Sequence, residues 1–187
     1  NESVITRTWT ATDACGNAVS LDQIITVVDT KAPVLTVPED VTAECDASTE
    51  VSATGQATAT DNCDTDPVVT FNDITTPGDC ANESVITRTW TATDACGNAV
   101  SLDQIITVVD TKAPVLTVPE DATVECDAST EVAATGQATA TDNCDTDPVV
   151  TFNDVTTPGD CANESVITRT WTATDACGNA VSLDQII

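Results

Sequence analysis

The chain has no histidine, tyrosine or methionine, and only three tryptophans and two phenylalanines among 187 residues. Without an imidazole, a thiol or hydroxyl nucleophile has no ready general base, and zinc loses its usual partner to cysteine. Basic residues are also scarce: five Lys and Arg face 31 Asp and Glu, for a formal charge of −26. Such a surface repels phosphate, which argues against nucleic acid and anionic membranes as partners. No apolar run is long enough to insert in a bilayer, and no signal peptide is visible. Only paired carboxylates are left for acid–base catalysis, and no pair stands out from the background of acids. An enzyme is not expected.

The chain has repetition instead. NESVITRTWTATDACGN begins at Asn1, Asn82 and Asn163, a period of 81 residues. Positions 1–106 and 82–187 differ only at Val41/Ala122, Ala43/Val124, Ser52/Ala133 and Ile74/Val155. The period is too long for a solenoid unit and suits a small autonomous domain. The expected organisation is the C-terminal part of one repeat at 1–30, a complete repeat at 31–111, and a repeat at 112–187 lacking the end of its last strand. The 187 residues read as a window from a longer tandem array.

Alternation of period two marks strands, and no window suggests an amphipathic helix. In Ser84–Asp94, one face carries Ile86, Arg88, Trp90 and Ala92, and the other carries Val85 and a ladder of threonines. Trp90 and Ile86 are expected in the core, with Arg88 reaching toward an edge carboxylate. Pro33–Val37, Val41–Cys45, Gly55–Thr60, Val68–Asn72 and Val100–Val109 are further strands, punctuated by Pro38, Pro67, Pro77-Gly78 and Gly97-Asn98. About seven short strands per repeat predict an all-β fold, a small antiparallel immunoglobulin-like sandwich. The threonine ladder reflects ordinary strand preference. Asn1, Asn82 and Asn163 each head an Asn-Glu-Ser sequon by pattern alone.

A core with so few aromatics needs reinforcement. Each repeat has four cysteines, and the strand between Cys80 and Cys96 separates them too far for a bond. In a sandwich, Cys45 and Cys80 share one pole, and Cys63 and Cys96 share the other. The expected disulfides are therefore Cys45–Cys80, Cys63–Cys96, Cys126–Cys161 and Cys144–Cys177, with Cys15 unpaired. Each would contribute roughly 4 kcal/mol in the chain-entropy model. Paired cysteines imply an oxidising, extracellular compartment.

TDNCDTDP, at Thr60–Pro67 and again at Thr141–Pro148, sets three aspartates around one cysteine. The same topology gathers Asp29 with Asp61, Asp64, Asp66 and Asp94, and Asp110 with Asp142, Asp145, Asp147 and Asp175. Carboxylates from a linker and two loops can supply oxygens to Ca²⁺ and stiffen a joint. Turn chemistry explains each Asp singly, and a bond from Lys31 or Lys112 offers stiffening without metal. No cofactor is required, and both readings of the acids stay open.

TWTATDACGNAV, with TDNCD upstream and DTKAPVLTVPEDVTAEC linking copies, resembles HYR-like immunoglobulin-fold repeats in a four-cysteine form. These occur in giant secreted proteins of Bacteroidetes, including gliding-motility adhesins. The resemblance spans the whole window. It implies cell-surface display, adhesion and secretion by a type IX system. On this reading the chain is a stalk or filament segment whose partners are its neighbouring repeats. The alternatives are a multivalent module binding glycan or other filaments weakly, and a subunit of a self-assembling extracellular filament.

Overall fold

The computed structural model describes residues 3–187, so the Asn1 sequon lies outside the described residues. β1 (Ser3–Thr12) and β2 (Ala18–Val27) form an antiparallel hairpin in which Trp9 faces Leu21. There follow β3 (Val34–Thr36), β4 (Val41–Glu44), a single turn α1 (Val51–Thr54) and β5 (Thr58–Thr60). Three long strands complete this repeat: β6 (Val68–Pro77), β7 (Ser84–Thr93) and β8 (Ala99–Val109). The next copy gives β9 (Val115–Thr117), α2 (Val132–Thr135), β10 (Thr139–Thr141), β11 (Val149–Pro158), β12 (Ser165–Thr174) and β13 (Ala180–Ile186). The fold is all-β and immunoglobulin-like. The one-turn helices were not foreseen; four residues are too few to show a helical period.

β3 pairs with β5, while β4, β8, β7 and β6 form a four-stranded sheet in that order. β3 and β5 run antiparallel, whereas β4 and β8 run parallel, Val41 facing Ile106. The second copy repeats the plan as β9–β10 and β11–β12–β13, with Phe152 opposite Trp171. By contact density the described chain divides into two compact units. One comprises residues 3–40, 50–74 and 87–105, and the other residues 41–49, 75–86 and 106–187. The units are thus staggered against the 81-residue sequence period.

Each unit has its own small core. Leu35, Ala57, Trp90 and Ala92 form one, and Leu116, Ala138, Trp171 and Ala173 the other. The alternation of β7 is as read from sequence, with Arg88, Trp90 and Ala92 buried, whereas Ile86 is only half-buried. Arg88 makes a two-pronged contact with Asp73 on the edge strand β6, both bonds 2.8 Å, and also donates to Thr54 Oγ1. Its guanidinium lies 4.7 Å from the Phe71 ring centroid. The position is more enclosed than a snorkelling cation requires, because aromatic rings and α1 surround it. The threonine ladder is tied across the sheet, Thr89 to Asp103 and Thr91 to Ser101. These cross-strand bonds explain its regularity.

Each core contains one fully enclosed amide. Gln185 accepts from the Trp171 indole at 3.3 Å and donates to the carbonyls of Glu120 and Thr135. Gln104 does the same for Trp90, Glu39 and Thr54. Replacing Gln185 by Leu keeps the volume but leaves an indole N–H and two carbonyls without this partner. The expected cost is about 2–3 kcal/mol, measurable as a lowered urea midpoint at unchanged slope.

Candidate joint between repeats

All residues of the joint described next belong to the second compact unit. Asp110 follows β8, where the chain passes into Thr111-Lys112-Ala113-Pro114. Thr111 bonds through its N–H and hydroxyl to the Glu44 carboxylate, and Lys112 Nζ lies 3.1 Å from Asp46. The Lys112 pair is exposed on both sides and contributes little. Lys112 therefore grips the earlier repeat rather than the acidic loops.

Those loops are built by their own aspartates. Asp142 Oδ1 accepts the N–H groups of Cys144 and Asp145, each at 2.9 Å. Asp145 carries Asp147 N–H on one oxygen and Ala176 N–H on the other, which fastens the two loops together. Asp175 Oδ1 accepts from the N–H of Cys177 and of Asn179, and its Oδ2 accepts from the Asn179 amide. Asn179 also donates to the Asp110 carbonyl at 3.0 Å, which anchors the linker to the loop. The tight return at Gly178, φ 88°, is a left-handed conformation that favours glycine.

The result is a convergence of three carboxylates. Oxygens of Asp110, Asp142 and Asp175 lie within 4.8 Å of one another. Asp29, Asp61 and Asp94 form the same triad in the first unit. Of the ten aspartates grouped from sequence, three meet in each unit, while Asp64, Asp66, Asp145 and Asp147 stand outside the triads. Burial, then the negative charges of Asp142 and Asp175, push the Asp110 carboxyl up against the weaker pull of Asn82 and the Lys112 N–H. The N–H of Asp145, then that of Cys144, outweigh burial and hold Asp142 below the usual carboxylate range.

The cysteine pairing differs from the expectation. Cys45 is bonded to Cys144 and Cys80 to Cys177, with Cα–Cα distances of 5.9 and 5.1 Å. This replaces both Cys45–Cys80 and Cys144–Cys177. Cys126 is not bridged to Cys161, and Cys15 is an exposed thiol. Cys45 and Cys80 do share an end of the strands: Cys45 donates its N–H to Val109 at the end of β8, and Cys80 lies in the β6–β7 turn. Each bonds to a cysteine of the following repeat, whose TDNCD and DACGN loops meet that end. Cys126 and Cys161, the counterparts of Cys45 and Cys80 one repeat on, are exposed.

Sequence reading missed Asn179, Glu44, Asp46 and Thr111 as joint residues. The invariant D-A-C-G-N turn contained the signal for Asn179; the linker contacts had none. Among the described residues, no helix is long and apolar enough to cross a membrane. A comparison with curated proteins found no match. A comparison with protein families matched the HYR-like domain with 4 cysteines twice, over residues 33–108 and 114–187. These two matches take in most of the chain and both sides of the doubly bridged joint, and the chain belongs to the family of HYR-like domains with four cysteines.

Proposed function

We propose that the chain is a structural stalk or filament segment of a secreted bacterial cell-surface adhesin, holding a distal binding region away from the cell and supporting adhesion or gliding. The observation that carries this reading is that two disulfides tie one repeat to the next, Cys45–Cys144 and Cys80–Cys177. A domain that only had to fold would gain as much from internal bridges, whereas bridges between repeats reinforce the connection along the chain. Paired cysteines fit an oxidising, extracellular setting, and Ig-like repeats of this family are typically non-enzymatic. Near-identity of the copies supports the same reading, since a stalk benefits from length alone. Type IX secretion is part of the proposal through the Bacteroidetes resemblance.

The test replaces the repeats in the intact surface protein by an unrelated rigid array of equal length, and separately shortens the native array. Cell attachment is expected to survive replacement and to fall with shortening. Attachment lost on replacement at equal length, together with binding of the purified repeats to surface glycan, would establish the multivalent binding module instead.

A further inference from the structure

The buried carboxylate at the joint points to a ligand. Asp110 is 3 % exposed, yet neither of its side-chain oxygens has a hydrogen-bond partner; the same is true of Asp142 Oδ2. Asn82 and the Lys112 N–H act on this carboxylate only weakly, without reaching hydrogen-bond geometry; a buried anion so poorly served is costly, and two more carboxylates facing it add repulsion. Turn chemistry accounts for Asp142 Oδ1 and for Asp175, which hold loop N–H groups. It does not account for Asp110, whose backbone carbonyl is tied to Asn179 while its carboxylate faces the other two acids. Lys112, two residues on, directs its ammonium to Asp46.

We propose that Asp110, Asp142 and Asp175 bind a hard divalent cation, calcium, and that Asp29, Asp61 and Asp94 repeat the site. The ligand chemistry selects the ion: the triad offers only carboxylate oxygen, the nearby cysteines Cys45 and Cys144 are oxidised, and no histidine exists. Three carboxylate oxygens within 4.8 Å of one another are close enough to share one such ion. Asp110 comes from the linker and the other two from separate loops, so one ion would hold three segments together.

The test uses the whole 187-residue chain, oxidised and stripped with chelator, then titrated with calcium to about 5 mM by calorimetry, a range suited to extracellular modules. Two ions per chain are expected, with a higher melting temperature in calcium than in chelator. Asp110→Ala is expected to reduce uptake to one ion. It should melt above the parent in chelator, having lost an uncompensated buried charge, and below it in calcium. Asp142→Asn, which keeps the loop's shape, should also reduce uptake to one ion and covers the case in which Asp110→Ala does not fold. Asp184→Asn, an exposed acid outside both triads, should leave uptake at two. Absence of calcium uptake, uptake unchanged by Asp110→Ala or Asp142→Asn, or identical parent melting in calcium and chelator would overturn the site. These readouts concern the ion alone and stand apart from the stalk reading.

Discussion

Reducing the two disulfides is expected to roughly double the length to which the chain can be pulled. The bridge Cys45–Cys144 short-circuits 99 residues and Cys80–Cys177 short-circuits 97. In the oxidised chain, force passes through whichever bridge gives the shorter covalent path, even after every strand has separated. At about 3.5 Å per extended residue, reduction releases roughly 340 Å of hidden contour. The two bridges interleave, and their spans differ by only two residues, 99 − 97. Changing Cys45 and Cys144 to Ser should therefore leave the oxidised contour almost unaltered. Removing both pairs should release the whole hidden length. Force spectroscopy between terminal handles, with and without reductant, reads this directly. Hidden lengths in separate steps of some thirty-odd residues would indicate bridges within repeats and overturn the connectivity. The overlap also makes the bridges non-additive for stability, since either one already constrains most of the same loop in the unfolded chain.

The second large effect lies at the pair Arg169–Asp154. The guanidinium is 2 % exposed and makes bonds of 2.7 Å to both oxygens of Asp154, with further bonds to Thr135 Oγ1 and the Thr130 carbonyl. Asp154 is 33 % exposed. Because the partners differ in burial, removing them should not cost the same. Asp154→Ala strands a buried cation that water cannot readily reach, at an expected cost of about 3–5 kcal/mol. Arg169→Met leaves a carboxylate that rehydrates and fills the space with apolar atoms, so its cost is about 2–3 kcal/mol. Urea denaturation of both variants measures the difference, and equal losses would refute the asymmetry. Arg169 holds the Asp154 carboxyl below its ordinary value of 3.8, chiefly through the hydrogen bond. A depressed carboxyl stabilises the fold fully above the unfolded value and loses that contribution as pH falls through the folded one. Acid destabilisation from this pair is therefore confined to pH below about 4, and Asp154→Ala should flatten that part of the stability profile.

Much of this was present in local pattern. The alternation of β7 determined that Arg88, Trp90 and Ala92 share a buried face, because successive residues of a strand point to opposite sides. Strand polarity was enough to bring Asp110 toward Asp142 and Asp175, since a linker leaving the end of β8 must meet the first loops of the following repeat. Ile86 was misjudged because burial at a strand end depends on what packs over it, which alternation does not encode. The helical turns at Val51 and Val132 were too short to leave a period.

The cysteines divide what the sequence by itself determined from what only the tertiary structure decided. Their number, the lack of histidine and the strand lengths pointed to disulfides and put Cys45 and Cys80 at one end of the strands, and both of these are bridged. They could not determine partners, because copies differing at a few positions make Cys63 and Cys144 chemically and locally the same residue. Cys144 and Cys177 are the counterparts of Cys63 and Cys96, which the strand lengths keep away from Cys45 and Cys80 within one repeat, and no local rule says that the copies one repeat further on come within reach. Only the packing of the TDNCD and DACGN loops of one repeat against the end of the previous one brings Cys144 to Cys45 and Cys177 to Cys80, within bonding distance. That packing depends on contacts across nearly a hundred residues, which no window of the sequence contains.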